Sequence, residues 1–383
     1  MADLSVDYCG VRYRNPLILA SATPGSDGEA MRLAGEAGFG GVIPKTIGPK
    51  QDWAAHPRNG RIYLHRHQNR PIGMVNLELF TTKTRDEWVT RELEIAKKAG
   101  AVMHVSILAM PDPEDTARLV EELQATGMVD LFELNVSCPM PASTVGMHIG
   151  KSPERTYEQV KAGKEASTLP FTVKMTPNVS DLVDVAHAAK EAGADGITIS
   201  NSVRSFAGVD IETGRPYLNA YGGYTGPAIR PIIMRHVSEV ANNVDIPISA
   251  VGGITSYREV IEYIMLGATT VQICTAVMWN GFDVVKKILK DLNDWMDRHG
   301  YQSLEEIRGI ALSPITTVEK LAELPPLFAD IDADACTDCG LCERICFFRA
   351  IHPADGYRVV DKADCDGCGL CVQWCPVNAI ELK

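Results

Sequence analysis

Eight of the chain's 11 cysteines lie between Cys336 and Cys375, in two runs of one spacing: Cys336-x₂-Cys339-x₂-Cys342-x₃-Cys346, then Cys365-x₂-Cys368-x₂-Cys371-x₃-Cys375-Pro376. Such runs bring three thiolates to one iron–sulfur cubane and send the fourth to its neighbour. Two [4Fe–4S] clusters are therefore expected. Cys336, Cys339, Cys342 and Cys375 would hold one, and Cys346, Cys365, Cys368 and Cys371 the other. Two Cys₄ zinc sites are the alternative, but two complete runs of this spacing are not zinc-like. Disulfides are disfavoured, because Met1-Ala2-Asp3-Leu4 opens no basic stretch followed by an apolar one. Without a visible secretion signal, a cytoplasmic location is expected. Phe347 stands where the second run has Pro376. Cys9, Cys138 and Cys274 are scattered and read as small buried hydrophobes.

Residues 1–310 alternate short β-branched runs with stretches of helical spacing. The expected strands are Leu17–Ser21, Val42–Thr46, Val102–Leu108, Leu131–Ser137, Phe171–Met175, Gly196–Asn201, Pro247–Gly252 and Thr270–Thr275. Each is a short apolar run, as strands buried on both faces require. Between them lie helical stretches such as Arg85–Ala99, Pro113–Ala125 and Pro153–Ala166, several ending near a glycine. Eight such units predict an α/β chain built on a (β/α)₈ TIM barrel. A doubly wound sheet is the alternative, weakened because no G-x-G-x-x-G follows the first strand. Residues 311–330, with Pro314, Pro325 and Pro326, read as a linker, and residues 331–383 as a small ferredoxin-like domain. The formal charge of −12 argues against a nucleic-acid partner. No apolar run approaches the roughly 18–20 residues of a membrane helix.

A short cluster wire implies a second redox centre in the barrel. The strand ends carry Asn15-Pro-Leu-Ile-Leu-Ala-Ser-Ala22, Pro44-Lys45-Thr46, Asn76-Leu-Glu78-Leu, Glu133-Leu-Asn135-Val-Ser-Cys-Pro139, Val173-Lys174-Met-Thr-Pro177, Ser200-Asn201-Ser202-Val203, Tyr221-Gly-Gly-Tyr-Thr-Gly-Pro-Ala228, Val251-Gly-Gly-Ile254 and Cys274-Thr-Ala276. Through these segments the barrel resembles class 1 dihydroorotate dehydrogenases. With its cysteine module, the whole chain resembles the pyrimidine-reducing part of dihydropyrimidine dehydrogenases, especially the stand-alone bacterial catalytic subunit.

Independently of that resemblance, Gly252, Gly253, Cys274 and Thr275 end strands seven and eight, where exposed backbone N–H groups suit a phosphate. Lys45 and Lys174 are lone charges at strand ends, and a buried lysine is paired or functional. Asn76, Glu78, Asn135, Asn201 and Ser202 offer amide, carboxylate and hydroxyl groups to a planar ring of alternating N–H and C=O groups. The resemblance implies FMN, with Ala20, Ser21, Lys45, Thr46, Asn135, Gly223, Gly226, Gly252, Gly253, Cys274 and Thr275 about it. Lys174 would face flavin N1. It further implies reduction of the C5=C6 bond of uracil- or thymine-type pyrimidines. Hydride would reach C6 and an acid would protonate C5. Related enzymes carry that acid as a cysteine where this chain has Ile149, in a shorter loop. His148 is the expected replacement, followed by Ser143 and Thr144. Another conjugated cyclic substrate, or a purely electron-transferring subunit, are the competing readings. Electrons would come from an NAD(P)H-oxidising flavoprotein partner, in a homo-oligomer or heterotetramer.

Overall fold

The computed structural model describes residues 2–48, 60–139 and 146–383. The chain divides into two units, Met1–Pro314 and Ile315–Lys383. In the first, all eight expected barrel strands form: β1 Leu17–Leu19, β2 Gly41–Val42, β3 Val102–Leu108, β4 Leu131–Asn135, β5 Phe171–Lys174, β6 Gly196–Ile199, β7 Ile248–Val251 and β8 Thr270–Ile273. They pair in parallel and close on themselves, β8 running beside β1. The helices start where local chemistry favours it. Ser152 accepts the backbone N–H of Arg155 and Pro153 opens the helix Pro153–Ala166, so an orphan donor is capped and φ is preset. Ser256 and Glu259 form a capping box on Tyr257–Met265.

The barrel interior departs from the apolar reading of its strands. Glu133 on β4 accepts hydrogen bonds from Thr198 on β6 (2.8 Å) and Gln272 on β8 (2.9 Å). Side chains from alternate strands meet only inside a closed barrel, so these contacts define a polar layer. His104 and Thr172 join each other in the same interior at 3.0 Å. Apolar neighbours such as Leu134 and Val173 lie in the surrounding core.

A second difference lies above the barrel. Ile62–His67, Arg70–Asn76, Gly222–Thr225 and Val203–Ser205 form a four-stranded antiparallel sheet absent from the sequence reading. Gln68 and Asn69, both at positive φ (45° and 63°), make the two-residue turn of its first hairpin. The segment expected as one helix at 85–99 contains a π-helical turn at Trp88–Glu92. Trp88 is fully buried there, and Glu92 accepts the N–H of Gly28 at 2.7 Å.

In the second unit, two half-modules repeat. Each sets a short helix, Leu341–Ile345 or Leu370–Trp374, after a left-handed glycine, Gly340 (φ 68°) or Gly369 (φ 74°). Strands Ala329–Ile331 and Ile380–Leu382 pair across the module's two ends. Residues expected as linker contribute the helix Val318–Ala322 and the first of those strands.

The helix Pro153–Ala166 lies so close to β5 that a Cβ on Gly163 would stand 2.3 Å from the Phe171 ring. Gly163→Ala should therefore destabilise the chain by about 1–3 kcal/mol, as overpacking does. Denaturant unfolding should show that loss shrinking in a Phe171→Leu background. Equal losses in both backgrounds would rule out this contact as the cause.

Candidate active site

At the C-terminal ends of the barrel strands lies a cavity of about 1010 Å³, its open mouth included. That is at the upper end of the roughly 300–1,000 Å³ usual for small-molecule sites. Ala20 and Ser21 reach it from the end of β1, Lys45 and Thr46 from beyond β2, Asn135 from β4, and Lys174 from β5. Asn201 and Ser202 follow β6, Gly252 and Gly253 follow β7, and Cys274 and Thr275 follow β8. The overlying sheet adds Asn76, Glu78 and Gly226.

Two expected residues are not on this wall. Gly223 lies behind it, its carbonyl accepting from the Asn76 amide at 3.1 Å. A Cβ there would meet Ser202 Oγ at 2.1 Å, so the glycine makes room for a lining residue rather than lining the cavity itself. His148 is exposed on the short helix Met147–Gly150, while Met147 and Ile149 on either side are buried. It therefore lies outside the cavity lining, away from the place expected for the acid. Ser143 and Thr144 lie outside the described residues.

The amides are held by one another. Asn135 Nδ2 donates to Thr46 Oγ1 at 2.8 Å, and its Oδ1 accepts from Ser137 Oγ at 3.0 Å. Asn201 Nδ2 donates to that same Ser137 oxygen at 3.0 Å, and its Oδ1 accepts the backbone N–H of Ser202 at 2.7 Å. Each lining amide thus has a fixed orientation before anything binds.

Both lysines are buried and answered. Glu78 pairs with Lys45, accepts from Thr23 at 2.7 Å and from Arg61 at 2.5 Å. Burial opposes ionisation of Glu78, but Lys45, Thr23 and Arg61 prevail and bring its carboxyl down to about 2. Burial in turn lowers Lys45, and Glu78 offsets part of that. Lys174 Nζ stands 3.4 Å from Glu133 and 3.3 Å from Gln272 Oε1. Burial pushes the Cys274 thiol up to about 11, against the pull of both lysines.

Cys138, Gln272 and Thr23 also line the cavity, and the sequence reading assigned none of them a role. Cys138 is 5% exposed and follows the Asn135-Val-Ser segment directly. Its place at a strand end was the available signal.

The donor set fits FMN. Small residues (Ala20, Ser21) and a buried cation (Lys174) suit a flat ring that gains negative charge, and Gly252 and Gly253 (φ 152° and 74°) suit a phosphate. In the second unit, Cys336, Cys339, Cys342 and Cys375 surround one hollow, and Cys346, Cys365, Cys368 and Cys371 another. These are the two expected ligand sets. Among the described residues no three ligand side chains converge as a single ion requires. The backbone N–H of Ala379 reaches Cys375 Sγ at 3.2 Å, a contact of the kind that tunes cluster potential.

Comparisons with known proteins agree with this geometry. A family model described as dihydroorotate dehydrogenase matches residues 3–296, and one described as a 4Fe-4S dicluster domain matches residues 329–382. The chain is 38% identical over 323 residues to the catalytic subunit of dihydroorotate dehydrogenase B (NAD⁺) from Pyrococcus abyssi, covering 81% of this chain and 99% of that one. It is 34% identical over 357 residues to subunit PreA of the NAD-dependent dihydropyrimidine dehydrogenase of Escherichia coli, covering 90% of this chain and 85% of that one.

Two measurements check the site. Anaerobically purified protein should contain one FMN and eight irons per chain, and Cys368→Ala should lose cluster iron while keeping FMN. Glu78 is depressed below its usual 4.5, so its ionic contribution to stability is full above pH 4.5 and fades as pH falls toward 2. Glu78→Gln should therefore destabilise at neutral pH, and the difference should close under acid unfolding conditions.

Proposed function

The chain belongs to the dihydroorotate dehydrogenase family and carries a 4Fe-4S dicluster domain, and from that premise we propose that it reduces the C5=C6 bond of uracil- or thymine-type pyrimidines. Electrons reach the barrel through two [4Fe–4S] clusters from an NAD(P)H-oxidising flavoprotein partner. The observation that carries this reading is the polar wall, in which Asn76, Glu78, Asn135, Asn201 and Ser202 line one cavity with Lys174. A uracil ring presents two N–H donors and two carbonyl acceptors. Glu78, held ionised, is a strong acceptor for an N–H, and the side-chain Nδ2 of each of the three asparagines, which spends one N–H inside the protein, keeps a second to donate. A wall built to pair those groups rejects rings that lack them, because its own buried groups would stay unpaired. The match to PreA supports the same reading, since 90% of the chain necessarily extends past Pro314 into the cysteine module.

FMN, when bound, supplies hydride exchange at ring N5. The chain's part is to hold the pyrimidine against that position and to manage charge. Hydride addition at C6 leaves negative charge shared between C5 and the C4 oxygen. A proton at C5 relieves it, and Cys138 on the cavity wall carries that proton.

Oxidation of dihydroorotate is the second reading, favoured by the Pyrococcus relative. Its substrate bears a carboxylate, and the lining cation Lys45 is already engaged by Glu78. Turnover of uracil, thymine and dihydroorotate by the purified holoenzyme with artificial donors and acceptors separates the two. Uracil or thymine reduction well above dihydroorotate oxidation is the expected result. The reverse order would replace the first reading with the second.

Cys138→Ala should slow substrate reduction by about 10²–10⁴-fold with little change in KM, as loss of a positioned acid does. His148→Ala should stay near the parent rate. A slow His148 variant beside an unimpaired Cys138 variant would return the acid to the loop helix.

A further inference from the structure

Lys174 is tied to the barrel interior by a side chain that the cavity does not touch. Glu133 is fully buried, is not a lining residue, and holds three neighbours at once. Oε1 faces Lys174 Nζ at 3.4 Å, and Oε2 accepts from Thr198 and Gln272. Gln272 completes a bridge. Its Nε2 donates to Glu133 (2.9 Å) and lies within reach of Thr198 (3.2 Å) and Ser249 (3.3 Å), which fixes the amide so that Oε1 meets Lys174 at 3.3 Å.

We propose that Glu133 is a positioning residue for the flavin site: its pairing with Lys174, and the Gln272 bridge it orients, keep that lysine charged and aimed at one place in both oxidation states of the ring. This rests on the reading that FMN lies with its ring beside Lys174. Two electrons and one proton convert the oxidised ring to its anionic reduced form, with the proton on N5. The electrons come from the clusters, or from a chemical reductant in a titration. If Lys174 enters this step already charged, no second proton is taken up. A buried ammonium with no counter-charge releases its proton as pH rises. It would then recapture that proton only when the ring becomes an anion.

The surrounding groups leave this duty to Glu133. His104, on β3, is pushed down to about 4 by burial, against the pull of Glu133, and so is neutral in the working range. Burial raises Tyr8 and Tyr13, which keeps both phenols protonated. Lys45 is already engaged by Glu78. The Cys274 thiol, at about 11, supplies no negative charge near neutrality. Cys138 lies on the cavity wall with Asn135 and Pro139. Thr198, Ser249 and Gln272 are uncharged. Burial opposes ionisation of Glu133 itself, but Lys174, His104, Gln272 and Thr198 together hold it below the usual carboxylate range.

The test compares the FMN midpoint potential of wild-type, Glu133→Gln and Lys174→Met holoenzymes from neutral to alkaline pH. In the wild type the potential should fall with one constant slope, set by one proton per two electrons. In Glu133→Gln the slope should double above the pH at which Lys174 releases its proton, because two protons then accompany two electrons. Sulfite, which adds at flavin N5 and leaves the ring negative, gives a readout free of electron transfer. Its binding to Glu133→Gln should weaken relative to wild type by about tenfold per pH unit in that range. Lys174→Met should lower the potential throughout. A Glu133→Gln profile parallel to wild type, with Lys174→Met shifted, overturns the proposal and spares the reading beneath it. An unshifted Lys174→Met overturns both. Should Glu133→Gln fail to hold FMN, the wild type alone decides: a constant slope supports the proposal, and a slope that doubles at alkaline pH overturns it.

Discussion

Two ammonium groups at the open end of a barrel, each more than nine-tenths buried, set the terms for the rest of this structure. A charge out of water must be paired or it costs more than a small domain has to spare. Lys174 is answered from below, by Glu133 at the centre of a polar layer. Lys45 is answered from above, by Glu78 on the chain that leaves the overlying sheet. The two solutions differ in consequence. The first requires a carboxylate in the middle of a fully buried strand, and hence Thr198 and Gln272 to satisfy its other oxygen. The second requires an excursion out of the barrel, because no barrel strand supplies that carboxylate.

Seen this way, the four-stranded sheet is part of the site rather than decoration. It delivers Asn76 and Glu78 to the cavity and backs Ser202 with a glycine, so the cavity-lining groups are assembled from barrel and sheet together. Asn135 and Asn201 then share Ser137 as a hydroxyl partner, and Thr46 takes the other end of Asn135, which locks both amides. Such preorganisation lets a neutral ring be recognised by hydrogen bonds that need little rearrangement.

The legible parts of the chain were those with a local signal. Parallel strands buried on both faces are apolar runs, so all eight barrel strands could be found, and the residues just past their ends pointed to the cavity. The cysteine spacing grouped the thiols as the two hollows of the second unit do. The overlying hairpin was not found, because Ile62–His67 is largely exposed and polar and its buried partner strand begins Arg-Pro. Glu133 and Gln272 are far apart in sequence and acquire meaning only when the barrel closes. Cys138 was read by the habits of cysteine in general, as packing, although its place just past a strand end set it apart from a thiol that fills a core. His148 was chosen for its chemistry, but the short helix that carries it buries Met147 and Ile149 instead.

The exchange of fourth ligands between the two half-modules bears on how the protein is made. One set closes only with Cys371 and the other only with Cys375, although their first members are Cys346 and Cys336. During synthesis the nascent chain therefore offers three thiols of each set, at most, until this last stretch has been translated, by which time every barrel strand has been made. A complete set of four thiols is thus available only at the end of translation of this run. A ribosome that stalls between the two halves leaves a chain whose barrel sequence is whole but which can finish neither cluster.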